Sequence, residues 1–316
     1  MDAQAQSASV RTVPVVRGTT HLWRQRLFPY LLVMPTLVFV ILFTLLPAMR
    51  TVVDSTMEPG RRASDPFTFV GLDNYTDLFN PSHYLGSRFT RILGNTLIFS
   101  AVTLAVSIPL ALIFAMLLNR PIRLMGIWRF SLFYPSLLPL IGAASIWAFL
   151  YSDSIGLFNT ILHSLGLPTV NWLGDPNTVL GSVIVMNIWK QTGYYMIFFL
   201  AGLQSIPRDI YEAAALDGAS FMQQFFSLTL PLLRRTTLFV MVVSTIFAFQ
   251  TVEQLQALNM GNPADRGNLL LYFIFQNIGE RRNWGYINAM TVILVAILLV
   301  FTISNFIFFE KGQEDE

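Results

Sequence analysis

The chain has 316 residues, of which 54% are hydrophobic and 12% charged, against about a quarter charged in an ordinary soluble domain. That balance excludes a soluble domain and marks a membrane protein. The net charge of +2, with arginines scattered among loops, excludes a nucleic-acid partner, and the zero cysteines exclude disulfides, thiolate metal sites and a cysteine nucleophile.

An apolar run of about 18 to 25 residues is long enough to cross a hydrocarbon core as a helix. Six such runs occur, near residues 28–53, 93–118, 130–150, 179–203, 236–256 and 286–308. The expected fold class is all-α, a polytopic membrane protein whose six transmembrane helices form one domain over 28–309, between tails of 1–27 and 310–316. The first run follows Arg11, Arg17, Arg24 and Arg26, as a signal peptide would, but its apolar part is about twice a normal h-region and lacks a small-x-small cleavage site. It reads as a retained anchor.

Positive charge in short loops is retained on the cytoplasmic side. The second-to-third connection carries Arg120, Arg123 and Arg129 without an acid, while the third-to-fourth carries Asp153 and Asp175 without Lys or Arg. Both termini are therefore expected in the cytoplasm, together with the 205–231 segment and Arg208, Arg234 and Arg235. Polar loops near 54–91 and 258–285 fall outside.

Nucleotide coupling would need a Gly-rich turn followed by Lys. The two lysines, Lys190 and Lys311, do not follow glycine, so the chain has no P-loop. His21, His83 and His163 are far apart in loops, and neither HExxH nor GxSxG occurs. No enzyme activity and no cofactor are expected in this chain; a partner would supply any energy.

Between the fourth and fifth runs lies "EAAALDGASFMQQFFSLTLP". Pro207 suits a first helical turn, and Asp209 and Glu212 place negative charge at the positive end of a helix dipole. Tyr211, Ala215, Ala219, Met222 and Phe226 recur at helical spacing as one apolar stripe. Gly218 interrupts it, giving a short helix, a turn and a second helix ending before Pro231. Periodicity alone fits equally an interfacial amphipathic helix that only joins two spans.

The residues go further than the periodicity. Glu212, Ala213 and Ala214, three residues, Gly218, nine residues, and a close on Leu230 and Pro231 resemble the signature loop of ABC importer permeases. Leu228 stands where that family usually has Ile. "FVGLDNYTDLF", "GLPTVNWLGDP", "IWKQTGYYMIFFLAGLQSIP" and "FQTVEQLQAL" are similar to the carbohydrate-uptake branch, to first permease subunits of importers for glycerol-3-phosphate, glycerophosphodiesters or oligosaccharides. The resemblance implies a type I importer domain in a bacterial or archaeal cell membrane. It implies a second homologous permease, two ATPase subunits that bind ATP and Mg, and an extracytoplasmic solute-binding protein met by the outer loops. It also implies that Glu212, Ala213, Ala214, Asp217 and Gly218 form a knob docking into a groove on an ATPase, with a side chain at Gly218 obstructing the turn.

Polar side chains inside a span are costly and face a cavity or a partner helix. Asn187, Lys190, Gln191 and Tyr194 recur at i, i+3, i+4 and i+7 in the fourth run; Gln250, Glu253 and Gln254 repeat the pattern in the fifth, and Asn288 and Thr291 begin the sixth. They form the expected substrate pathway, with hydrogen bonding between helices as the other reading of any one of them. Lys190 would pair with Glu253 or attract an anionic solute. A stand-alone secondary transporter or channel is the competing function, and it would need ion-coupling acids beyond Glu253.

Overall fold

Helix follows apolar sequence almost throughout the computed structural model. It describes the backbone of residues 19–310, except 61, 63 and 122, and side chains within 29–307. Arg11, Arg17, Arg24, Arg26, His21, the last tail and Lys311 lie outside the side chains described. The chain divides after Arg50 into two compact units. The first holds α1 (Thr19–Val40), a π-helical turn (Ile41–Leu45) and the start of α2 (Leu46–Asp54), so helix begins before the expected boundary at residue 28. Pro29–Asp54 is long and apolar enough to cross a membrane, and none of its most apolar stretch is buried.

The second unit opens with a ribbon in which β1 (Met57–Glu58) pairs antiparallel with β2 (Thr68–Phe69), a small exception to the all-helical expectation. α3 (Asp73–Phe79) leads into α4 (Gly86–Leu118), which packs along α8 (Val179–Gln204). The buried face of α4 carries Ser100, Thr103, Ser107, Ala111 and Ala115. Small side chains let helix backbones approach closely where lipid removes any hydrophobic drive to associate.

The third expected span is not one straight helix. α5 (Met125–Leu137) and α6 (Leu140–Leu150) meet at 101°. Pro139 is the cause: the residue before a proline is pushed out of the helical region, and Leu138 sits at φ −68°, ψ 138°. After α7 (Leu157–Ser164) comes α8, 26 residues long. α8 is long enough to span but is not among the helices apolar enough to do so by composition, because Asn187, Lys190, Gln191 and Thr192 interrupt its middle. Most of that polar stretch faces protein: Asn187, Lys190 and Thr192 are buried.

α9 (Arg208–Leu216), α10 (Phe221–Gln224), a π-helical turn (Phe225–Thr229) and α11 (Leu230–Leu232) form the connection to α12 (Arg234–Phe249). Contrary to expectation, the second helical run passes through Pro231 and ends at Leu232, bending by 67° into α12. The wide π turn just upstream, where the Leu230 N–H reaches the Phe225 carbonyl, gives the proline ring room beside the preceding turn. The fifth span likewise stops at Phe249. Gln250, Thr251 and Val252 break the helix, and α13 (Glu253–Leu258) starts afresh against α6. α14 (Leu270–Asn277) and α15 (Trp284–Glu310) complete the order. Among the described residues three helices qualify as spans by length and composition, or up to five if each bent pair counts as one.

The loop before α14 is tied to the start of α4. Arg88 donates to Asp265 at 2.7 and 3.2 Å, Arg91 to the Ala264 carbonyl at 3.0 Å, and the Asn95 amide to the carbonyls of Asp265, Arg266 and Asn268. Burial pushes the Asp265 carboxyl up, but hydrogen bonds from Arg88 and Asn268 outweigh it and hold the group below the usual carboxylate value. A carboxyl depressed in the folded state stabilises at neutral pH, and its share is lost as pH falls through the folded value. Acidification below about pH 4 is therefore expected to lower the melting temperature more in the wild type than in Asp265→Asn.

Candidate functional site

The corner between α5 and α6 leaves carbonyls without helical partners, and α8 supplies them. The Lys190 ammonium donates to the carbonyls of Leu138 at 2.6 Å, Pro135 at 3.1 Å and Ser136 at 3.3 Å. Its three protons are thereby all used, at the end of a helix where the backbone dipole favours a cation. One turn further on, Gly193 lies against α5 so closely that a Cβ there would be 1.8 Å from the Leu132 carbonyl oxygen.

This joint walls one side of a cavity of about 420 Å³. α8 contributes Asn187, Lys190, Gln191 and Tyr194, the corner contributes Ser136, Leu138 and Leu140, and the break after α12 contributes Gln250, Thr251 and Gln254, with Phe247 before it. The break in the fifth span is what makes this possible, since it turns Gln254 inward to complete burial while Glu253 stays exposed. Six of the expected pathway residues therefore line one cavity. The expected helical face of Gln250, Glu253 and Gln254 does not exist, because the three straddle a helix break. Asn288 and Thr291 are also absent from the lining; each bonds back to its own helix, to the carbonyls of Trp284 and Ile287, both at 2.8 Å. Lys190 makes no ion pair with Glu253 among the described residues, where Arg88–Asp265 is the one salt bridge. Ser136, Leu138 and Leu140 gave no sequence signal beyond Pro139, which predicts the bend but not what it faces.

The 205–231 segment builds a different object. α9 follows Pro207 with Asp209 in its first turn, and closes in a Schellman motif. The Ala219 N–H bonds the Ala214 carbonyl at 2.9 Å and the Gly218 N–H bonds that of Ala215 at 3.1 Å. Gly218 has φ +81°. The spacing from Ala214 to Gly218 is thus the spacing between the third-last helical residue and the left-handed residue that ends the helix. The obstruction implied by the resemblance is not found within the chain: a Cβ at 218 would meet nothing within 4 Å among the described residues, and the left-handed backbone alone disfavours other residues. Ser220 then starts α10 with a capping box to Gln223. The expected continuous stripe is divided by this turn. Tyr211 is half-buried with its hydroxyl 3.1 Å from Thr229, while Met222 and Phe226 are exposed. Glu212, Ala213, Asp217 and Gly218 are exposed at the tip, Leu216 is 90% exposed there, and Ala214 is half-buried. Leu230 is exposed and Pro231 follows it in the second run. An apolar groove of about 690 Å³ runs beside the hairpin under the end of α4, with the Arg120 guanidinium 5.5 Å above the Phe221 ring.

A bundle of apolar helices, a polar cavity at helix breaks and an exposed helical hairpin define the membrane component of a transport system. Residues 107–310 match the family described as the binding-protein-dependent transport system inner membrane component, and the chain belongs to that family. It is 34% identical over 89% of its length to the trehalose/maltose transport system permease protein MalF of Thermococcus litoralis, covering 93% of that protein. Identity is 34% to the sn-glycerol-3-phosphate transport system permease protein UgpA of Agrobacterium fabrum, covering 90% of this chain and 96% of the relative. To the arabinooligosaccharides transport system permease protein AraP of Halalkalibacterium halodurans it is 30%, covering 98% of each. The fold is shared with a chain of a bacterial ABC transporter that imports alginate, at a TM-score of 0.77 and 22% identity over 92% of this chain and 99% of the other. A second structure of an alginate transporter, in complex with its alginate pentasaccharide-bound periplasmic protein, has a TM-score of 0.76 at 21% identity, covering 90% and 94%.

Proposed function

We propose that this chain is one permease subunit of a binding-protein-dependent ABC importer that moves a carbohydrate-type solute into the cell. In this reading it has six membrane crossings with both ends inside, in a bacterial or archaeal cell membrane. It pairs with a second homologous permease, two ATPases that hold ATP and Mg, and a binding protein outside. The exposed hairpin carries the proposal: Glu212, Ala213, Asp217 and Gly218, with the half-buried Ala214 behind them and Leu216 almost fully bare, form a tip closed by its own backbone hydrogen bonds. A short helix with an apolar tip suits a groove on a partner. ATP-driven closure of the ATPases would draw the two hairpins of a permease pair together and open the cavity at Asn187, Gln191, Tyr194 and Gln254 outward; hydrolysis would reset it.

Gly218→Val tests this. A β-branched residue at positive φ costs about 1–2 kcal/mol, local to the turn, so the hairpin tip deforms while the chain stays folded. Loss of the co-purifying ATPase and of ATP-driven uptake is the expected result, with the chain's own melting temperature little changed. Solute accumulation by the isolated chain in liposomes would instead make it a stand-alone transporter.

A further inference from the structure

The apolar groove beside the hairpin changes character along its length. Ile113, Leu117 and Arg120 line it from one face of α4, and the seven residues from first to last give a rise of about 10 Å. α4 is among the described helices long and apolar enough to cross a membrane, and it ends at Leu118, so Arg120 stands just past the apolar span and Ile113 within it. Ile113 and Leu117 are 50% and 56% exposed, and Phe221 and Met222, which line the groove from α10, are also exposed. Arg120 sits at the polar end. Its guanidinium lies 5.5 Å over the Phe221 ring and makes no hydrogen bond or ion pair among the described residues. Arg129 of the same connection differs, since it donates to the Leu118 carbonyl at 2.9 Å. No carboxylate lines the groove, and none occurs between Asn119 and Arg129.

We propose that this groove binds an anionic glycerophospholipid from the leaflet beside the hairpin, with an acyl chain along Ile113 and Leu117 and its phosphate on Arg120. Charge and depth agree. A wall of carbon at the depth of the span accepts an acyl chain, while a guanidinium with uncommitted donors at the surface accepts a phosphate through paired N–H bonds. An arginine beside an anionic lipid surface is expected to favour binding about fivefold. A zwitterionic lipid brings its own ammonium next to the phosphate and gains less. Occupied, the groove joins α10 of the hairpin to the end of α4, so the lipid bears on how the hairpin is held. The site goes beyond the importer reading and does not require it.

The full chain in a neutral detergent is titrated with phosphatidylglycerol and with phosphatidylcholine of the same acyl chains, and thermal unfolding is followed. Phosphatidylglycerol is expected to raise the melting temperature at about fivefold lower concentration. Arg120→Gln should abolish that difference, and Arg208→Gln, which removes an exposed cation of α9 outside the groove lining, should keep it. Equal behaviour of the two lipids in the wild type overturns the proposal, as does an undiminished preference in Arg120→Gln. A full shift with inorganic phosphate alone also overturns it, since the groove would then be unnecessary. The second measurement uses the zero cysteines of the chain: Met222→Cys puts one thiol on the groove, and Phe226→Cys puts one on an exposed position outside its lining. Both are labelled with a neutral maleimide in bilayer nanodiscs, in the complex as purified, and the label is read on this chain. The rate at position 222 relative to position 226 is expected to fall as phosphatidylglycerol replaces phosphatidylcholine. A thiol at 222 that reacts slowly in both lipids means that another subunit covers the groove, and an unchanged relative rate means that lipid does not enter it; either result overturns the proposal. Neither readout involves ATP or solute, so failure of the importer reading would show separately, in the Gly218→Val experiment.

Discussion

Gly193→Ala is expected to deprive the membrane of most of the folded chain and to lower the melting temperature of whatever remains. The added methyl would be 1.8 Å from the Leu132 carbonyl oxygen and 2.6 Å from its carbonyl carbon, both backbone atoms that no side-chain rotation can remove. Relief requires α5 and α8 to move apart. Separation would lengthen the hydrogen bonds from Lys190 to the corner carbonyls one turn away, so two contacts are lost through one substitution. Overpacking of a close joint costs about 1–3 kcal/mol and occasionally more, and this backbone clash belongs at the upper end. Gly181→Ala on the same helix is the control, because a Cβ there meets nothing within 4 Å. It should be neutral or slightly stabilising, by about 0.5–1 kcal/mol. Thermal unfolding of the purified protein, followed by tryptophan fluorescence, measures both; equal melting temperatures would show that the helices do not touch.

What could be read from the sequence was chemistry confined to neighbouring residues. The hairpin is of that kind, since Ala214 and Gly218 belong to one helix-ending motif of six residues, 214–219, whose hydrogen bonds are local. Apolar runs likewise predicted where helices form. Their ends were less legible, because an apolar run hides a turn: the bend between α5 and α6 and the break at Gln250 to Val252 both lie inside stretches that hydropathy treats as continuous. Pro139 explains the first bend through its effect on Leu138, a local cue that the apolar run of 130–150 masked, whereas no proline or glycine marks the second. The period of 3.6 then assigned Glu253 to the same face as Gln254, and the break turned one outward and buried the other. The burial of Gln254 and the three carbonyls on Lys190 depend on segments far apart in sequence meeting, which no local pattern encodes.

Lys190→Met is expected to destabilise the chain by about 2–4 kcal/mol, through the corner and not through any solute. Methionine matches the length of the side chain's apolar part but donates nothing, so the carbonyls of Ser136 and Leu138 lose their partner and that of Pro135 keeps only the Leu138 N–H at 3.3 Å. An unsatisfied buried acceptor costs about 1–3 kcal/mol. Pro135 is buried and the other two residues are half-buried beside the cavity, where water can take over part of the loss. Removing a buried ammonium offsets some of this, since its own desolvation no longer has to be met, and that offset keeps the net figure below the sum of three lost bonds. The decisive comparison sets thermal stability against solute affinity. A lysine that holds the wall loses stability in the absence of any solute, and Lys190→Arg, which keeps several donors on a longer stem, recovers part of it. A lysine that binds an anion would show the reverse, with solute-free stability unchanged or improved and apparent affinity for the solute reduced. Melting curves of Lys190→Met and Lys190→Arg in solute-free detergent solution separate the two, and an unchanged melting temperature in Lys190→Met would remove the wall-holding role.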